Sequence, residues 1–90
     1  MVAEVYNPFR ETDYSFNGDM VSFNGQSLLR DEYKVGEIYI PSFYKDHPDR
    51  FYAIPVEKFK NGFDVFYLQF TDLDLAKKAR DDLIEFSRGG

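Results

Sequence analysis

The chain has 90 residues, 19% of them aromatic with ten Phe and seven Tyr, no cysteine, no tryptophan, one histidine and a formal charge of −5. So many rings suit a packed domain rather than a disordered chain, and the missing cysteines exclude disulfides, thiolate metal sites and a cysteine nucleophile. A lone His47 excludes any site that needs two imidazoles, and the negative balance repels the phosphates of nucleic acids and anionic membranes.

The first residues, MVAEVYNPF, lack the basic lead and apolar core of a signal peptide. Apolar runs are only a few residues long, too short to span a bilayer. The expectation is a single domain over 1–90, in the cytoplasm. Residues 1–44 hold seven acids and three bases, and residues 45–90 hold nine and eight, so the first half carries most of the charge.

Asn-Gly pairs mark hairpins because both residues tolerate the positive φ of a type I′ turn. Three occur, at Asn17-Gly18, Asn24-Gly25 and Asn61-Gly62. Used as two-residue turns, the first two predict a meander over 12–31, with Phe16 facing Asp19, Tyr14 facing Val21 and Thr12 facing Phe23. On the next strand Gln26 faces Phe23, Leu28 faces Val21 and Arg30 faces Asp19. One face then carries the row Tyr14–Val21–Leu28 and the other Ser15–Met20–Leu29. The two turns sit at opposite ends of the middle strand, about 17 Å apart at ~3.3 Å per residue, so they cannot cradle one small ligand.

A strand rich in β-branched and aromatic residues follows over 37–44, interrupted by Pro41. Beyond a charged loop, strands over 51–59 and 63–70 flank the third Asn-Gly. Pro55 marks an edge strand or a bulge there. A two-residue turn would set Lys58 against Val65 and Glu57 against Phe66, an untidy alternation that leaves a longer loop open. Thr71 and Asp74 read as a capping box for a helix over 72–87. Leu75, Ala76, Ala79, Leu83 and Phe86 form its apolar stripe, with Lys77, Lys78, Asp81 and Glu85 in water. Gly89-Gly90 resembles the tail of ubiquitin-like modifiers, but those domains place it after a strand, and here it reads as a helix stop.

The strand FDVFYLQF is apolar on both faces, with Phe63, Val65 and Tyr67 on one and Phe66, Leu68 and Phe70 on the other. One helix covers one face, so the sheet must curl on itself or a second chain must cover the rest. The fold class is therefore α+β, an antiparallel meander of about five to seven short strands, curled or barrel-like, with one C-terminal amphipathic helix. That picture resembles the architecture of pleckstrin-homology-like domains, with no shared motif. Those that bind phosphoinositides use a basic loop after the first strand. The corresponding turn here is Asn17-Gly18-Asp19, so the resemblance does not imply lipid binding.

Ser42, His47 and Asp46 or Asp49 are the residue types of a nucleophile, a base and an orienting acid. They crowd one proline-containing loop without rigid support, so catalysis is the lesser reading. The pairs Asp72/Asp74 and Asp81/Asp82 lack the spacing of a calcium loop, and no glycine-rich phosphate loop is present. No metal and no cofactor is expected. A non-enzymatic protein-interaction module, an inhibitor or adaptor, fits best. Tyr39, Phe43, Tyr44, His47, Arg50, Phe51 and Tyr52 around the charged loop are the candidate contact residues. The alternative is a DNA mimic that presents Glu4, Glu11, Asp13, Asp19, Asp31, Glu32 and Glu37 to a nucleic-acid-binding protein. A strand edge offers a further route to self-association.

Overall fold

The computed structural model describes residues 11–42, 46 and 51–89. It is an α+β fold of two three-stranded antiparallel sheets and one C-terminal helix, with no closed barrel. The first sheet holds β1 (Tyr14–Asn17), β2 (Met20–Phe23) and β3 (Gln26–Leu29), in that order. The second holds β4 (Tyr33–Val35), β5 (Tyr52–Lys58) and β6 (Asp64–Phe70), followed by α1 (Leu73–Ser87).

The second hairpin folds as its sequence predicts. Asn24 (φ 52°) and Gly25 (φ 79°) both take left-handed backbone, and Val21 pairs with Leu28 and Phe23 with Gln26. Arg30 meets Asp19 as expected, through its N–H to the Asp19 carbonyl at 2.9 Å and an ion pair at 3.4 Å. The first hairpin corrects its expected register. Its turn is Gly18-Asp19, because Asn17 pairs with Met20, Phe16 with Val21 and Tyr14 with Phe23. Gly18, at φ 63°, is the left-handed residue of the pair, the arrangement of a turn with glycine first. The frame moves by two residues in pairing, so each side chain keeps its face while its neighbour changes. The inner row is Phe16–Val21–Leu28, and the outer rows are Ser15–Ser22–Ser27 and Asn17–Met20–Leu29.

The strand expected over 37–44 does not form in its described part, residues 37–42. The strand of this region is β4, and the later segment touches β5 only at the bridge Tyr39–Ala53. Pro55 explains the break. The Gly36 N–H donates to the Pro55 carbonyl at 2.9 Å, but proline has no N–H to return, so the β4–β5 ladder stops there. The stranded Gly36 carbonyl instead accepts the Arg80 Nε–H of α1 at 2.7 Å. Pro55 therefore sits in the middle strand of its sheet rather than at an edge, with its blank side facing the end of β4.

The third Asn-Gly lies in a longer loop over residues 59–63, since Lys58 pairs with Asp64 and Val56 with Phe66. The pairing is shifted by one residue from that of a two-residue turn, and a one-residue slip exchanges the faces of a strand. It brings Ile54, Val56, Leu68 and Phe70 together in the core. The Lys58 ammonium closes the loop by donating to the Lys60 and Asn61 carbonyls at 2.8 and 2.9 Å.

The helix is capped by Asp72, whose carboxylate accepts the Asp74 N–H at 2.7 Å; Thr71 bonds to Glu11 instead of forming the expected box. Ala76, Ala79 and Leu83 are the buried stripe, and Phe86 packs against the core, whereas Leu75 is 44% exposed and lies off it. Gly89 (φ 79°) ends the helix with its N–H on the Phe86 carbonyl, as a helix stop should. Val21, Phe23 and Leu28 of the first sheet join these residues, so both sheets and the helix share one core.

Candidate functional site

The outer face of the second sheet, opposite α1, carries a cleft of about 860 Å³. Its floor comes from Val65, Tyr67 and Gln69 of β6, Ala53 of β5 and the neighbouring Phe51, Tyr39 and Pro41. Its rim is Glu11, Thr12 and Asp13, leading into β1, with Asn24 and Gln26 from the β2–β3 hairpin. The position follows from alternation along β6: Phe66, Leu68 and Phe70 turn toward the core, which leaves Val65 and Tyr67 on the other side.

Backbone and side-chain bonds fix this rim to the sheet. Thr12 donates its N–H to the Gln69 carbonyl at 3.0 Å and accepts the Gln69 N–H on Oγ1 at 2.9 Å. The Asn24 amide donates to the Tyr67 carbonyl at 3.0 Å, so the β2–β3 turn is pinned to the middle of β6. Glu11 accepts the Thr71 N–H at 2.8 Å on one carboxylate oxygen and the Thr71 hydroxyl on the other. Tyr39 is held by two backbone bonds to Ala53, at 3.0 and 2.7 Å. Burial, and then the neighbouring Tyr67 phenol, raise the Tyr39 phenol above its ordinary value. Both rings remain open, Tyr39 at 43% and Tyr67 at 50% exposure.

On the helix side, a second cavity of about 750 Å³ lies between residues 37–42 and α1. Ile38, Ile40, Tyr52 and Leu73 supply its apolar wall, and Lys77 and Arg80 its charge. Arg80 is engaged by the Gly36 carbonyl and by Glu37 at 3.2 Å.

The candidate contact residues divide between these surfaces. Phe51 is buried as part of the floor of the outer cleft, and Tyr39 lines both that cleft and the second cavity. Tyr52, the next residue and the first of β5, turns the other way, packs on the core and lines the second cavity. Phe43, Tyr44, His47 and Arg50 lie outside the described residues, as does Glu4 of the acidic set. Ser42 and Asp46 of the possible catalytic loop are exposed, while its His47 and Asp49 are also outside the description.

Most of the described acidic residues of that set are engaged within the molecule. Asp13 and Asp19 flank β1 at its two ends. Asp19 pairs with Arg30, Asp31 with Lys60 at 3.2 Å and Glu37 with Arg80. Glu32 is 6% exposed, accepting the Leu29 N–H at 2.9 Å. Among the described residues no cluster of three or more His, Cys, Asp or Glu could hold a metal ion, and no helix is long and apolar enough to cross a membrane.

Sequence reasoning did not single out Pro41, Asn24, Gln26 or Tyr67 as site residues. The usable signal for Tyr67 was the two-sided apolarity of FDVFYLQF, which demanded a cover that α1 cannot provide on both faces. Comparison with protein-family models, with curated proteins and with solved structures finds no match. The site stands on its own geometry.

Proposed function

We propose that this chain is a non-enzymatic protein-interaction module, an inhibitor or adaptor, that holds its partner in the cleft on the outer face of β4–β5–β6. The observation that carries the reading is the pair of open rings, Tyr39 and Tyr67, over a cleft of about 860 Å³. A tyrosine ring offers large contact area with little rotamer freedom to lose, and tyrosine is among the residues that dominate interface energetics. Fixing Tyr39 to Ala53 and Tyr67 within β6 orders the surface before a partner arrives, which lowers the cost of association.

A tagged pull-down from lysate tests this, comparing the wild-type chain with Tyr39→Ala and Tyr67→Ala. The expected result is one stoichiometric protein on the wild type and its loss from both variants, with circular dichroism spectra unchanged. Retention of the same protein by both folded variants would sink the assignment of the cleft. Both rings are substantially exposed, so truncating them leaves the core intact.

A further inference from the structure

Resting on the reading of the cleft as a partner surface, we propose that its occupant is an extended, polyproline-type peptide segment carrying a lysine or arginine, laid over the Tyr39 and Tyr67 rings with its cation at Asp13.

The backbone edge argues first. A peptide that adds a strand needs unpaired groups along an open edge. On the free side of β6, Gln69 is bonded through both its N–H and its carbonyl to Thr12, and the Tyr67 carbonyl is bonded to Asn24. The Val65 N–H turns to the Asp64 carboxylate at 2.8 Å. The molecule has engaged most of this edge itself, so an occupant is read chiefly by side chains lying on rings. Polyproline II segments fit such a surface. They have no internal hydrogen bonds, lose little entropy on docking and seat their rings in aromatic-lined grooves.

Charge supplies the second argument. The described lining residues include two carboxylates, Glu11 and Asp13, and no cation. Glu11 has both oxygens occupied by Thr71. Asp13 is exposed and has no ion pair among the described residues, so it presents the open charge of the rim. The net charge of −5 adds a long-range attraction for a basic segment and repels an acidic one.

A phage-displayed library of random peptides, selected on the intact chain, tests the proposal. Wild type should enrich peptides with Lys or Arg beside prolines. A synthetic copy of the enriched sequence should bind Asp13→Asn roughly two- to fivefold more weakly, the range of an exposed ion pair, and bind wild type less well as salt rises. Against Tyr67→Ala the same copy should lose about tenfold or more, as for a contact anchor. The proposal is overturned by enriched peptides without a basic residue, by equal binding to Asp13→Asn or Tyr67→Ala, or by no enrichment at all. Those results leave the cleft itself standing if Tyr67→Ala still loses the lysate protein. If Tyr67→Ala keeps that protein, the cleft assignment falls with the peptide.

Discussion

At Gly36 one hydrogen atom in place of a side chain decides how two elements meet. A Cβ there would lie 2.8 Å from Cγ of Pro55, on a stiff ring in the middle strand that cannot swing aside. The backbone at this point is bonded on both sides, to the Pro55 carbonyl and to the Arg80 guanidinium, so it cannot retreat without losing one of them. Gly36→Ala should therefore cost about 1–3 kcal/mol, as overpacking does in a core. Urea unfolding should show a lower midpoint with an unchanged slope. A midpoint equal to wild type would mean that the Pro55 contact is slack. Pro55 was visible in the sequence as a disruption, but its effect was not. Whether a proline spoils a ladder depends on which neighbour its missing N–H would have faced, and that is set by the pairing of the whole sheet.

Among the elements, local chemistry was legible where one turn frame dominated and illegible where two competed. Asn24-Gly25 has no rival, and the hairpin closed on it. Asn17-Gly18 shares its glycine with the frame Gly18-Asp19, and long-range packing favours the latter. In the observed frame Tyr14 donates its hydroxyl to Asp82 at 2.7 Å, and Phe16 stacks on Phe86 at 4.5 Å between ring centres. Strand β4 escaped notice because a three-residue strand with one buried side chain, Tyr33, has no periodicity to read. The helix start shows the same competition, for Thr71 and Asp72 are both good caps. Glu11 engages Thr71, which leaves the N-terminal N–H groups to Asp72. Asp72→Ala should thus cost about 0.5–2 kcal/mol, whereas Asp72→Asn, which keeps the acceptor, should stay close to wild type in thermal unfolding. Equal losses for the two variants would assign the effect to charge at the helix dipole rather than to the cap.

Across the whole molecule, the double-sided apolarity of β6 forecast that one face would need a cover, but the sequence could not say where the open surface would lie. The cleft is assembled from five stretches of the chain, and only the pairing of Thr12 and Asn24 with β6 and of Tyr39 with Ala53 brings them together. The opposite side is closed by tyrosines that join the sheets to α1. Tyr33 is buried and donates its hydroxyl to the Leu83 carbonyl at 2.7 Å, and Tyr14 bridges the first sheet to Asp82. Burial pushes both phenols up from 10.0 to about 12, helped at Tyr14 by its hydrogen bond to Asp82 and opposed at Tyr33 by the nearby Arg30 charge. A phenol with a raised folded value releases its proton more readily in the unfolded chain. Its contribution is therefore complete below pH 10 and disappears as pH climbs from 10 to about 12. Asp82 has the opposite sign: the Lys78 ammonium, bonded at 2.9 Å, and the Tyr14 hydroxyl outweigh burial and lower its carboxyl, so its contribution is lost as pH falls below 3.8. Denaturant midpoints followed against pH should stay level through neutrality, then fall between pH 10 and 12. Tyr14→Phe combined with Tyr33→Phe should flatten that alkaline fall, because phenylalanine has no proton to lose. If the double variant falls as steeply as wild type, the alkaline transition belongs to other groups and these two hydroxyls do not couple the sheets to the helix.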